Sequence, residues 1–236
     1  MKRAWAALKF LSLAGRFGSA PGTPEQIGAS AVYFPVVGLL LGMILIGFNR
    51  LFDPLVESEI GAAIVITVLI VLTGAIHMEG LQRTFDILLA PRHLPAGARP
   101  LTIYGILAVV LVIMFKIRAV EVMGETRNIS LLLAPAFARW AVVLFLYGHA
   151  WAGEESAWRM VEKVTLWHLA LATLATLGLA VFLTGRAGLW VGLWVSILAL
   201  LSRGYFQRRH TGFDHDKLGA LIEVSETLAL VHLASM

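Results

Sequence analysis

The sequence predicts an all-α fold: a polytopic helical membrane protein with about seven transmembrane helices and an N-terminal amphipathic helix, in a single integral membrane domain spanning 1–236. Three observations predict it. Hydrophobic residues fill 58% of the 236 positions and charged residues only 14%, against about 25% charged in a soluble domain. Apolar runs near or above the roughly 17 to 25 residues needed to cross a bilayer core recur along the chain. The basic residues are distributed asymmetrically between the connecting segments, as they are in membrane proteins.

In chain order, Met1-Lys2-Arg3-Ala4-Trp5 superficially resembles a signal sequence, but Lys9 interrupts its apolar part. An uncleaved interfacial helix carrying Lys2, Arg3, Lys9 and Arg16 is expected instead. Spans are then predicted at 30–47, 60–77, 101–119, 131–147, 166–182, 189–201 and 218–233. Pro135 interrupts the fourth, which also carries Arg139; the sixth is short; the last carries Glu223 and Glu226. No internal repeat or second domain is visible. The tryptophans fall mostly near span ends, as interfacial aromatic belts do. Cysteine is absent, which excludes disulfides and thiolate metal sites.

With the N-terminus inside, thirteen Lys and Arg residues fall on inner segments. Five fall on outer ones: Arg50, Lys116, Arg118, Arg127 and Arg186. Cationic loops stay cytoplasmic, so the segment after His77, the Glu154/Glu155 loop and the Asp214/Asp216 loop are expected on the cytoplasmic face of the inner membrane.

Residues 77–86 concentrate charge where an apolar run ends. As a helix they place Glu79, Arg83 and Asp86 on one face at i, i+4 and i+7, with His77 at its rim. Two carboxylates there can share a divalent cation; the alternative is that Arg83 simply bridges them as ion pairs on an interfacial helix. Further on, Arg208 to Asp216 form a polar loop in which Gly212 permits a turn. Asp214 and Asp216 either point at one cation or serve the next helix, with Asp216 as its N-cap. Glu223 and Glu226 share a face of an otherwise apolar helix. Unpaired carboxylates there cost on the order of 2.5 to 3.5 kcal/mol each, so they face a polar interior, pair with a cation or are protonated, and Arg139 is the obvious mate. That pair either fixes helix packing or serves a ligand.

No Gly-rich phosphate loop, HExxH helix or nucleophile elbow is present. What remains is an acid-lined, cytoplasm-facing cavity flanked by Arg, which suits a metal-bound phosphate substrate.

Five stretches then match one family in order: Leu8-Lys9-Phe10-Leu11, FPVVGLLLG at 34–42, LTGAIHMEGLQRTFD at 72–86, Tyr104-Gly105 with the apolar run after it, and DKLGALIEVSE at 216–226. The chain resembles the cobalamin synthase (adenosylcobinamide-GDP ribazoletransferase) family over nearly its whole length. The resemblance implies a Mg²⁺-dependent transferase that joins α-ribazole or its 5′-phosphate to adenosylcobinamide-GDP and releases GMP. By correspondence with the family motifs it implies Glu79, Asp86 and Asp216 as metal ligands and His77 and Asp86 as catalytic. It further implies Arg139, Glu223 and Glu226 as substrate-binding, and Arg83, standing where the family has an acid, is expected to bind the substrate diphosphate in place of one metal ion. The expected partners are the two substrates and the lipid bilayer, with no nucleic acid; self-association is left open. The chain departs from the family where Arg83 replaces a middle acid, where Ala98-Arg99-Pro100 replaces an Asp-containing segment, and where Asp214-His215 replaces Thr-Gly. A catalytically altered paralogue that binds a corrinoid or phosphate-bearing ligand is therefore the alternative, and a small transporter is a third reading.

Overall fold

The computed structural model describes residues 2–15, 22–89, 101–149, 155–209 and 214–235. Arg16, Arg92, residues 98–100, Trp151, Glu154 and Gly212 lie outside the described residues. The described chain is helical, with no strand among the described residues. Helix α1 (Lys2–Leu11) is the predicted amphipathic segment: Ala7, Phe10 and Leu11 are buried while Trp5 is exposed. Its Phe10 ring meets Phe34 at 5.8 Å and His215 at 5.3 Å, so α1 closes over the start of the last helix. The short α2 (Pro24–Gly28) follows, with Thr23 and Gln26 forming a capping box.

The longer helices are α3 (Phe34–Phe52), α4 (Ser58–Leu72), α5 (Ile76–Leu89), α6 (Ile103–Val122) and α7 (Arg127–Leu146). After α8 (Glu155–Glu162) come α9 (Leu166–Thr184), α10 (Arg186–Arg208) and α11 (His215–Ala234). Five of them, α3, α6, α7, α9 and α10, are long and apolar enough to cross a membrane, and α4 with α5 makes a sixth if counted as one broken span. The expected seventh, α11, falls short by composition rather than length, since 20 residues at 1.5 Å each reach about 30 Å. The sixth predicted span is not short: α10 runs for 23 residues.

Helix α7 is the axis of the bundle. Of its span 83% is buried, against 28% for α6, 17% for α9 and 28% for α10, so the latter three present apolar side chains outward to lipid. Against α7 packs α3, and a Cβ at Gly38 would meet the Pro135 carbonyl oxygen at 2.3 Å. Only a residue without a side chain permits that approach, the usual device for tight helix pairs in lipid. Trp140, midway along α7, is fully buried with its indole N–H donating to Thr173 Oγ1 at 3.0 Å, so it is a core residue and not part of an interfacial belt.

The predicted continuous helix over 60–77 is broken. Gly74 (φ +64) and Ala75 (φ +57) both enter the left-handed region. The Ala75 N–H donates to the Ile70 carbonyl and the Gly74 N–H to that of Val71, both at 2.9 Å. This is a Schellman closure with Gly in the position that has no Cβ penalty. Helix α5 leaves at 87° to α4, and this corner, invisible in hydropathy, carries His77 into the bundle while Glu79 stays at its exposed rim.

Candidate active site

The crossing of α5 and α11 builds the site. A Cβ at Gly80 would lie 2.7 Å from the Asp216 carbonyl oxygen, and one at Gly219 would lie 3.1 Å from the His77 Cα. Two glycines, far apart in sequence, let the backbones touch. Residues 77–83 are thereby set beside residues 214–219. Arg83 pairs with Glu79 on its own helix and reaches Asp216 Oδ1 at 3.7 Å. All three side chains keep 30 to 47% of their surface in solvent, so these pairs orient more than they stabilise. Burial, reinforced by the neighbouring Asp214 charge and opposed by Arg83, holds the Asp216 carboxyl above its ordinary value. Asp214, not the predicted Asp216, caps α11: its side chain accepts from the Lys217 N–H at 2.9 Å. The β-region backbone of Asp214 at the helix start favours that role.

One turn deeper, His77 is 1% exposed; the Leu11 backbone is the polar group beside its ring, and neither nitrogen makes a hydrogen bond of good geometry. An imidazole so weakly satisfied at that depth is costly unless something else uses it.

Asp86 does not join Glu79 and Asp216. Its Oδ1 accepts from the Thr102 N–H (2.9 Å), the Thr102 hydroxyl (2.6 Å) and the Gly105 N–H (3.2 Å), and the side chain is buried. A carboxylate on the free N–H groups that open α6 is a cap from a neighbouring helix. Gly105 is required there because a Cβ would fall 2.6 Å from the Gln82 carbonyl oxygen as well as 2.4 Å from Asp86 Oδ1. Among the described residues no three His, Asp or Glu side chains meet closely enough to hold a metal ion, so the trio Glu79, Asp86 and Asp216 is not gathered. Glu79 and Asp86, seven residues apart, are separated by about 10.5 Å along the axis, and each has its own partner.

Inside the bundle a second cluster forms. Lys116 Nζ on α6 lies 2.5 Å from Glu223 Oε2 and 3.2 Å from Glu226 Oε1, and Arg139 Nη1 on α7 lies 2.5 Å from Glu226 Oε2. None of these four side chains exceeds 5% exposure. The predicted mate of Glu223 was Arg139, but Arg139 takes Glu226, and Glu223 belongs to Lys116. Lys116, counted from sequence as an outer-loop cation, sits buried within α6. The signal was available: two acids on one apolar helix require two cations, and Lys116 interrupts an otherwise uncharged run at 101–115. Arg139, Glu223 and Glu226 are thus brought together as predicted but are engaged with one another and with Lys116, a charge-balanced lock across α6, α7 and α11.

A family profile described as cobalamin-5-phosphate synthase matches residues 3–234. An adenosylcobinamide-GDP ribazoletransferase from Pseudomonas fluorescens is 32% identical, covering 98% of both chains. One from Roseiflexus is 30% identical over 96% of this chain and 87% of its own. No solved structure matches. With the profile spanning the α5–α11 crossing and both acidic clusters, the chain belongs to the cobalamin-5-phosphate synthase family.

Proposed function

We propose that this transferase of cobalamin biosynthesis joins α-ribazole or its 5′-phosphate to adenosylcobinamide-GDP at the mouth of the α5–α11 crossing. A ribose hydroxyl forms a bond to the phosphorus attached to cobinamide, the bond from that phosphorus to GMP breaks, and the hydroxyl proton passes to a base. His77 suits the base or positioning role, because its ring nitrogens are buried and make no well-formed hydrogen bond beside the Leu11 backbone. Arg83, between Glu79 and Asp216, suits contact with phosphate oxygens. The observation that carries the reading is the full-length family match combined with His77 held, buried, beneath that charged mouth.

Mg²⁺, implied by the family, finds no three-acid set among the described residues. Asp216, with substrate phosphate oxygens, is the carboxylate that fits it best, since Mg²⁺ is commonly held by one or two carboxylates plus phosphates. When bound, the ion neutralises charge on the breaking diphosphate. The mouth faces the cytoplasm of the inner membrane on this reading, supported by the basic residues of the segments around it.

Membranes containing the protein, incubated with adenosylcobinamide-GDP, α-ribazole and Mg²⁺, are expected to release GMP and form cobalamin; absence of both overturns the reading. The pairing of Arg83 with two carboxylates favours one other: a protein that binds the corrinoid without turnover. In the same membranes, corrinoid retention by the unaltered chain with no GMP released identifies that case.

A further inference from the structure

A cavity of about 850 Å³ lies between α5, α10 and α11. Its walls are mostly apolar, but Arg208, Arg209 and Lys217 line it together with Thr84, Tyr205 and Phe206. A smaller pocket of about 170 Å³ shares Thr84, Tyr205, Phe206, Arg209 and Lys217 and extends to Asp214 and Asp216. The cavity therefore adjoins the charged mouth. Two features mark it as more than a gap between helices. Thr84 is 5% exposed, lines both spaces, and its hydroxyl has no hydrogen-bond partner, although a threonine in a helix ordinarily bonds back to its own backbone. The cations are set on aromatic faces: Arg209 lies 5.0 Å from the Tyr205 ring centre and Lys217 5.3 Å from that of Phe206. The two rings meet edge to face at 5.4 Å. Lys217 also pairs with the half-exposed Asp214 at 3.4 Å.

We propose that this cavity is the subsite for the nucleoside diphosphate end of the substrate. Its phosphates lie on Arg208, Arg209 and Lys217, the Thr84 hydroxyl donates to a phosphate oxygen, and the base lies against Tyr205 and Phe206. Cationic side chains favour phosphate, the rings favour a planar base, and the apolar walls accept an amphiphilic substrate reached from the membrane surface. None of these residues was singled out for substrate contact by motif or spacing. The inference rests on the transferase reading for the identity of the ligand, and on the cavity alone for its chemistry.

The test uses the full chain in phosphatidylcholine nanodiscs, with GDP as the probe in equilibrium dialysis and the GDP-activated substrate in turnover. Wild type is expected to bind GDP saturably. The double variant Arg208→Gln/Arg209→Gln is expected to raise the Kd at least ten-fold and to raise KM more than it lowers kcat; Arg→Lys at both positions recovers part of the loss. The shape-conserving Thr84→Val is expected to weaken GDP several-fold with an unchanged melting temperature, which covers the case in which the double variant does not fold. Unchanged GDP affinity in Thr84→Val and in a folded double variant overturns the subsite. So does a wild type that ignores GDP but is stabilised by phosphatidylglycerol through Arg208 and Arg209, which assigns the cavity to bilayer lipid. Wild-type turnover with an unaltered KM in the double variant removes the subsite and leaves the transferase reading standing. Arginine-dependent GDP binding without any turnover does the reverse.

Discussion

Thr102 donates both its backbone N–H and its hydroxyl to one oxygen of Asp86, at 2.9 and 2.6 Å. A residue that family correspondence assigns to metal chemistry thus closes the N-terminus of the neighbouring transmembrane helix.

Asp86→Asn is therefore expected to lower stability as well as turnover. Weakening charge-assisted bonds at a buried cap costs about 1 to 3 kcal/mol, read as a lower melting temperature in detergent. A variant with wild-type melting and no turnover would return Asp86 to the chemistry.

The Lys116–Glu223–Glu226–Arg139 lock predicts non-additive losses. Lys116→Met alone strands the buried Glu223 carboxylate and is expected to cost about 3 to 5 kcal/mol. Lys116→Met/Glu223→Leu keeps the charge balanced, with Arg139 on Glu226, and is expected to cost less than the single change. Yields of folded protein and thermal melts check this; a double variant worse than the single contradicts the pairing.

Asp216 makes a prediction about pH. Its folded pKa is raised, chiefly by burial, so its contribution to stability is full below the ordinary carboxylate value and is lost as pH rises through the folded value. Asp216→Asn removes that loss. The difference in melting temperature, variant minus wild type, is expected to be near zero at acid pH and to become positive toward neutrality. A negative difference at neutral pH would show that the Arg83 pair outweighs burial.

If Asp216 shares a Mg²⁺ ion with the substrate, chelation abolishes GMP release and Asp216→Asn raises the Mg²⁺ concentration needed for half-maximal rate several-fold. Asp86→Asn leaves that concentration unchanged. An Mg²⁺ requirement that moves with Asp86 and not with Asp216 reverses the assignment.

Reporters fused after residue 90 or residue 214 are expected to read cytoplasmic. A periplasmic reading at either position refutes the orientation.

Composition and the spacing of apolar runs were enough for an all-α membrane protein with an amphipathic first helix, because burying a backbone in lipid leaves few alternatives to the helix. They also marked the segments that meet at the candidate site: His77, Glu79, Arg83, Asp86 and Asp216 stand out because charge is expensive beside apolar runs. Which of those groups face one another was decided elsewhere. The corner at Gly74 and Ala75 turns α5 away from α4, and the contact of Gly80 with Gly219 brings two segments more than a hundred residues apart within van der Waals reach. Together they set Arg83 beside Asp216, send Asp86 to Thr102, and leave Glu226 to Arg139 and Glu223 to Lys116. Helical periodicity records which face a residue occupies but not what lies opposite; partnership depends on crossing angle and backbone separation, which only the packed tertiary structure defines.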